Sequence, residues 1–139
     1  MTRKIDMIVS RTEIAIKICY CVYSETCITT QEISYRLHHS DEYKNGLYFV
    51  FDDSNHVIYI GKVGPSKTAS LYMRCIGNGK NAHSKETWYT QYARYIKFHK
   101  FPNYSDEQLL LAERIAILYE RPIFNDQHTD IDTLKKYVW

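Results

Sequence analysis

The middle of the chain has the hydrophobic pattern of two short β-strands joined by a turn. Residues 46–52 and 56–63 are rich in β-branched and aromatic side chains, and the DDSN run between them is typical of a tight turn. A turn centred in that run would place Tyr48 directly opposite Tyr59, on one face of a hairpin. The two phenols then either pack a half-buried sheet face or form part of a functional site.

The strongest helical pattern runs over residues 106–120. Ser105 and Gln108 can form a capping box at its start, and Pro122 marks its end. The interior is almost wholly apolar, and polar positions recur along one narrow stripe. Glu113 lies in this stripe, so it is either a solvated residue on the seam of a mostly buried helix or a ligand for a metal ion.

Shorter patterns complete the predicted core. Residues 69–76 favour a helix closed by a Gly-Asn-Gly stop, and residues 88–95 can form another helix. Residues 96–101 alternate apolar and basic side chains, as expected of a third strand. Together with the hairpin, these elements predict an α+β fold.

The first 45 residues have a different pattern. Residues 11–23 carry apolar side chains at the spacing of one helical face, and the TTQE run at 29–32 can cap a second helix that runs to about Leu37. Two helices with a short turn are half of a helix-turn-helix, but residues 40–45 leave little room for a recognition helix. We interpret residues 1–45 as a helical extension packed on the core, and contact of this extension with DNA is the alternative.

Length and composition are those of an ordinary globular domain. The chain has 139 residues, of which 45% are hydrophobic. We expect no membrane span and no signal peptide, and therefore a cytoplasmic protein, with a nuclear or host-cell location as the alternative. The four cysteines include no Cys-x-x-Cys pair, and the histidines lack ligand spacing, which argues against a structural zinc site.

Positive charge is concentrated in residues 61–101, which hold eight basic residues and one acidic residue. Several tyrosines and a tryptophan are interleaved with these charges. A polyanion such as nucleic acid is the expected partner of this surface, and a solvated face without a ligand is the alternative. The candidate DNA-binding residues are Lys62, Lys67, Arg74, Lys80, Lys85, Arg94, Lys97 and Lys100.

Five short motifs follow one another along the chain. They are Gly46-Leu47-Tyr48, Tyr59-Ile60-Gly61-Lys62, Leu71-Tyr72-Met73-Arg74, Ala112-Glu113-Arg114 and Pro122-Ile123-Phe124-Asn125. In this order they resemble the GIY-YIG nuclease family. The resemblance covers residues 46–125 and leaves 126–139 as a carboxy-terminal tail. It implies a small three-stranded antiparallel sheet flanked by helices, and metal-dependent hydrolysis of DNA phosphodiesters.

The resemblance also implies roles for individual residues. Glu113 would hold one divalent ion, Mg²⁺ with Mn²⁺ as a substitute, at the scissile phosphate. Tyr48 would be, or assist, the general base for the attacking water. Tyr59 and Arg74 would position the phosphate, with Lys62 beside them. Because a phenol is a weak base at neutral pH, we expect Lys62 and Arg74 to favour the phenolate of Tyr48.

Two further residues complete the predicted site. Asn125 would shape it. Family members often have a His or Tyr one helical turn after the arginine, where this chain has Asn78. His83 is then the candidate substitute, and a surface position is the expected alternative for it.

These patterns predict an endonuclease that cuts double-stranded DNA. With one active site per chain, it would cut both strands as a homodimer or by sequential nicking. The alternatives are a non-catalytic DNA-binding module, either an inactive scaffold of this kind or a winged-helix regulator with residues 46–63 as its wing, and an RNA nuclease.

Overall fold

An antiparallel sheet with helices on both faces forms the described part of the chain. The computed structural model describes residues 28–33, 43–65, 69–76 and 82–125. In chain order the elements are β1 (Ile28–Thr29), β2 (Gly46–Phe51), β3 (Val57–Val63), α1 (Leu71–Cys75), a single 3-10 turn (His83–Lys85), α2 (Thr87–Tyr92), β4 (Tyr95–Lys100) and α3 (Asp106–Glu120). The sheet order is β1-β4-β2-β3. The fold is α+β as predicted, but within the described residues the sheet has four strands where three were expected.

The additional strand comes from the segment that was predicted to be helical. β1 pairs with the first residues of β4. Just after it, Thr29 Oγ1 accepts a hydrogen bond from the Glu32 N–H at 3.2 Å, and Glu32 Oε2 accepts one from the Thr29 N–H at 3.3 Å. These are the two bonds of a capping box. The helix that they would cap, and the helix predicted over residues 11–23, lie outside the described residues.

Both faces of the sheet are covered, and β2 is therefore buried along its whole length. Leu47, Phe49 and Phe51 pack on the side of α3. Tyr48 and Val50 point to the opposite side and pack against α1 and α2. A strand that is covered on both sides reads as a continuous apolar run, which is why β2 lacks an alternating pattern.

The hairpin of β2 and β3 has a register two residues away from the predicted one. Tyr48 pairs with Gly61, and Tyr59 pairs with Val50. The turn is longer than expected because it ends on Asn55, which has a left-handed φ of 62°, and a bulge follows Val50. Each feature displaces the pairing by one residue. Because the two displacements together equal one full pleat, both phenols stay on the same face, with ring centroids 6.1 Å apart.

The described helices begin and end as their sequences dictate. Ser70 caps α1 by accepting a hydrogen bond from a backbone N–H of its first turn at 3.1 Å. In α3, Ser105 and Gln108 form the predicted capping box, and Arg121 ends the helix in a left-handed conformation with φ 48°. The Gly-Asn-Gly stop expected after α1 lies outside the described residues. No helix within the described ranges is long and apolar enough to cross a bilayer.

Candidate active site

The phenol ring of Tyr48 lies across Gly61, its partner on the neighbouring strand. A Cβ atom on Gly61 would lie 2.3 Å from Cζ and from Oη of Tyr48. A side chain at position 61 would therefore occupy the place of the ring. The glycine of the Tyr59-Ile60-Gly61 motif is required for the position of the Tyr48 hydroxyl.

His83 is buried and is hydrogen-bonded to Tyr48, with 2.6 Å between Nε2 and Oη. Its ring is surrounded by aromatic side chains, with Tyr59 edge-on at 4.7 Å between centroids and Trp88 at 5.3 Å. The surface position considered for His83 is therefore wrong. His83 begins the 3-10 turn, in which the Glu86 N–H donates a hydrogen bond to the His83 carbonyl at 2.8 Å.

Burial determines the protonation states of Tyr48 and His83. Desolvation raises the pKa of Tyr48 well above its usual value, and the Arg74 charge opposes this effect without overcoming it. Desolvation also lowers the pKa of His83 to about 4. At neutral pH the phenol therefore keeps its proton and the imidazole is uncharged, and the tautomer of His83 decides which of the two atoms, Oη or Nε2, donates in this bond. Arg74 does favour the phenolate of Tyr48, as expected, but burial outweighs this charge and keeps the pKa of Tyr48 raised.

Tyr59 is half-buried beside this pair. It stacks on Trp88 with 4.9 Å between ring centroids and an interplanar angle of 22°. Burial raises its pKa to about 12, and the negative charges of Glu113 and Glu86 add to the rise. Tyr59 is therefore a stable hydrogen-bond donor over the whole physiological pH range.

Glu113 is buried on α3 with 7% of its surface exposed, so it does not lie on a solvated seam. Burial raises its pKa to about 7, while Lys62, Arg74 and Arg114 lower it. Its negative charge in turn raises the pKa of both tyrosines of the hairpin. Glu113 thus interacts electrostatically with the tyrosines and with the predicted phosphate-binding cations.

The two predicted phosphate-binding cations, Lys62 and Arg74, lie on different elements. Lys62 pairs with Leu47 and therefore lies on the sheet face that α3 covers, the face of Glu113. Arg74 is exposed at the last turn of α1, on the other face. The Arg74 charge lowers the pKa of Tyr48, Tyr59, His83 and Glu113 alike. The candidate groups therefore meet around β3, the outer strand of the sheet.

Asn125 is fully buried and holds β3 in place. Its Oδ1 accepts a hydrogen bond from the Ile60 N–H, and its Nδ2 donates one to the Ile60 carbonyl, both at 2.8 Å. Next to it, the Phe124 N–H donates to the Ile58 carbonyl at 3.1 Å. The loop after α3 thus imitates a further strand along the outer edge of β3.

Comparison with known proteins identifies no relative. The chain matches no family model, no curated protein and no solved structure. The resemblance to GIY-YIG nucleases therefore stays a prediction from the five motifs. The structure adds the geometry in which those motifs are placed.

Glu113 is the residue that could hold a metal ion. Across the described ranges, no group of three or more His, Cys, Asp or Glu side chains is placed to bind a metal. Zinc sites use three or four such ligands, so this donor set does not suit zinc. Mg²⁺ is commonly held by one or two carboxylates together with substrate phosphates and water. A single buried carboxylate with a raised pKa suits this second type of site.

Only part of the predicted DNA-binding set can be placed. Lys67 and Lys80 lie outside the described residues. Lys85 in the 3-10 turn and Lys100 at the end of β4 are exposed. They add positive charge to the surface beyond Lys62 and Arg74.

Two other members of that set have structural contacts. Arg94 forms an ion pair with Asp53 in the hairpin turn, with 3.3 Å between Nε and Oδ1. Its guanidinium also donates to two backbone carbonyls. The ammonium of Lys97 lies 5.0 Å from the centre of the Phe51 ring. Arg94 therefore supports the turn, and Lys97 packs on the sheet.

Sequence reasoning missed Glu86 and Trp88. The indole N–H of Trp88 donates to Oε2 of Glu86, and Oε1 of Glu86 lies 3.9 Å from Nδ1 of His83. The sequence carries one signal for Glu86, because it is the single acidic residue in a segment, residues 61–101, that also holds eight basic residues.

Proposed function

We propose that the chain is a metal-dependent endonuclease that hydrolyses phosphodiester bonds of double-stranded DNA. The observation that carries this proposal is the buried carboxylate of Glu113, which interacts electrostatically with Lys62, Arg74 and the two tyrosines of the hairpin. Such a cluster combines a ligand for one cation with positive charge for a phosphate and with hydroxyl groups for proton transfer. The order of the five motifs supports the same assignment.

Glu113 would hold the divalent ion, Mg²⁺ or Mn²⁺. When bound, the ion polarises the scissile phosphate and stabilises the oxygen that leaves. Burial makes an ionised Glu113 costly in the absence of a cation, which is why its pKa rises to about 7. The carboxylate is therefore an effective partner for a cation at neutral pH.

Tyr48 and His83 would take the proton from the attacking water. The water passes a proton to Oη of Tyr48 while the Tyr48 proton passes to Nε2 of His83 over the 2.6 Å hydrogen bond. One O–H bond breaks on the water and one on Tyr48, while a new O–H bond forms on Tyr48 and an N–H bond forms on His83. The imidazole is then the final base, and no free phenolate is formed at the buried Tyr48.

Arg74 and Tyr59 would bind the non-bridging oxygens of the phosphate. Arg74 is exposed, and its positive charge lowers the pKa of Tyr48, Tyr59, His83 and Glu113. Tyr59 keeps its proton and can donate a hydrogen bond to the same phosphate. Lys62 adds positive charge on the side of Glu113.

The test is cleavage of a supercoiled plasmid by the purified chain with Mg²⁺. We expect nicked or linear product from the wild type. Glu113→Gln and Tyr48→Phe should lower the cleavage rate at least about 100-fold and leave DNA binding within about threefold, because each removes a group that acts on the reacting atoms.

The matched controls are Glu107→Gln and Tyr119→Phe, which change an exposed carboxylate and an exposed phenol on α3. They should cleave at the wild-type rate. Unchanged cleavage in Glu113→Gln would contradict the proposed site. DNA binding without hydrolysis under any divalent ion would favour the non-catalytic module, and hydrolysis of duplex RNA alone would change the substrate.

A further inference from the structure

Of the two ring nitrogens of His83, Nδ1 is the one whose surroundings need an explanation. It is buried and has no hydrogen-bond partner among the residues that the structure describes, whereas Nε2 of the same ring is bonded to Tyr48. Buried polar atoms without partners are rare and call for an explanation. The acidic group beside it is Glu86, whose Oε1 lies 3.9 Å from Nδ1.

The carboxylate of Glu86 is held in that position by a second contact. Its Oε2 accepts a hydrogen bond from the indole N–H of Trp88. Trp88 in turn stacks on Tyr59, one of the two tyrosines of the candidate site. The other oxygen of Glu86 is left facing the imidazole. Because half of the Glu86 side chain is exposed, a small rotation can shorten the 3.9 Å separation to a hydrogen bond.

We infer that Glu86 is a positioning residue that fixes the tautomer of His83 and thereby directs the proton of Tyr48 to Nε2. The inference rests on the proposed function, which gives the Tyr48 to His83 transfer its purpose. A carboxylate beside Nδ1 favours the tautomer of the neutral imidazole in which the proton is on Nδ1. The lone pair of Nε2 then points at the Tyr48 hydroxyl and can receive its proton.

The charges around His83 fit this role. Glu86 is the group whose negative charge raises the pKa of His83, and Arg74 on α1 acts in the opposite direction. Tyr48 and Tyr59, which face the ring from the sheet, remain uncharged at neutral pH because burial raises the pKa of each. Glu86 therefore stabilises the imidazolium that forms when Tyr48 gives up its proton.

Glu86→Gln is the informative variant. A glutamine can still accept the hydrogen bond from Trp88, so the variant removes the negative charge and keeps the packing. Nitrogen NMR of the imidazole rings should show His83 with its proton on Nδ1 in the wild type and in Glu86→Asp. In Glu86→Gln the proton should be shared between both nitrogens, and the pKa of His83 should fall further.

The kinetic test uses the same variants. Glu86→Gln should lower kcat by roughly 10-fold to 100-fold with KM within about twofold, because the group acts on proton transfer and not on DNA binding. Glu86→Asp should recover most of the loss. Trp88→Phe, which keeps a stacked ring but removes the indole N–H, should have a smaller effect than Glu86→Gln.

The two readouts separate the inference from the function on which it rests. If the wild type does not cleave nucleic acid, the proposed function fails, while the NMR measurement still reports whether Glu86 sets the tautomer. An unchanged tautomer in Glu86→Gln would overturn the inference. So would a Trp88→Phe variant that reproduces the full loss in kcat, because Glu86 would then act through packing alone.

Discussion

Gly61 has no side chain, and the ring of Tyr48 occupies the space that a side chain would fill. We expect Gly61→Ala to displace the Tyr48 ring, because the added methyl group would lie 2.3 Å from two of its atoms. Overpacking of this kind costs about 1–3 kcal/mol in the free energy of unfolding. Urea denaturation measures this loss, and cleavage should fall with it because the Tyr48 hydroxyl moves away from His83.

Gly64→Ala is the matched control. Among the described residues, a Cβ at Gly64 would meet only Oδ1 of Asp106, at 3.7 Å, which is an ordinary contact. This variant should unfold within about 0.5 kcal/mol of the wild type. If both alanine variants lost the same stability, the effect would come from the backbone and not from the ring of Tyr48.

Glu113 makes the stability of the metal-free protein depend on pH. Burial raises its pKa from 4.5 to about 7 in the folded state, so between these values the folded state binds more protons than the unfolded state. Stability contributed by this group is complete below pH 4.5 and is lost as the pH rises through about 7. Glu113→Gln should therefore be more stable than the wild type at about pH 8, by up to about 3 kcal/mol, and equal to it near pH 4.

Urea unfolding in a metal chelator checks this difference at the two pH values. Addition of Mg²⁺ at about pH 8 should then stabilise the wild type and leave Glu113→Gln unchanged, because an ion that binds the folded state alone raises its stability. Equal stabilisation of both proteins by Mg²⁺ would place the metal site elsewhere.

At the scale of elements, local signals were sufficient where one segment determines its own structure. The capping box of Ser105 and Gln108 predicted the start of α3, and the strands of the hairpin lie where β-branched and aromatic residues are concentrated. The register was not predictable in this way. It depends on the left-handed Asn55 and on the bulge after Val50, and the pattern of β-branched and aromatic residues in the two strands specifies neither of them. The short β1 pairs with a strand distant in sequence, so it left no local signal.

Asn125 should be more important to β3 than its position in a loop suggests. Asn125→Ala removes both hydrogen bonds to Ile60 and leaves a buried N–H and carbonyl without partners. Each unsatisfied group costs about 1–3 kcal/mol, so we expect a loss of at least about 2 kcal/mol in the free energy of unfolding. Hydrogen exchange should show faster exchange at the Ile60 amide than at amides of β2.

The neighbouring Ile123 supplies the control, because 67% of its surface is exposed. Ile123→Ala should change stability by less than about 0.5 kcal/mol and leave exchange at Ile60 unchanged. Accelerated exchange in both variants would show that the loop as a whole, and not the amide of Asn125, holds the strand.

Over the whole molecule, the residues of the candidate site could be selected from sequence, but their protonation states and burial could not. The five motifs contain Tyr48, Tyr59, Arg74 and Glu113, which the fold brings into electrostatic contact around β3. The neutral phenol of Tyr48 follows from burial by segments far apart in the chain. The burial of His83 has the same origin, because an isolated histidine in a loop has no periodic pattern that would place it inside.

The surplus of positive charge predicts DNA binding that weakens with salt. Lys100→Gln should lower the affinity for all sequences alike and reduce the slope of log K against log salt by about 0.9, the value for one phosphate contact. Lys100→Arg keeps the charge and should keep the slope. Fluorescence anisotropy with a labelled duplex at several salt concentrations measures both, and an unchanged slope in Lys100→Gln would remove this residue from the interface.

The pseudo-strand formed by Phe124 and Asn125 also limits how copies of the chain can associate. The carbonyl of Ile58 and both backbone groups of Ile60 are already bonded to this loop, so the loop occupies the place where the strand of a second molecule would pair with β3. An edge strand whose backbone N–H and C=O groups are unpaired is, by contrast, a common starting point for aggregation. The loop that borders the candidate site therefore also closes this edge of the sheet to further strands.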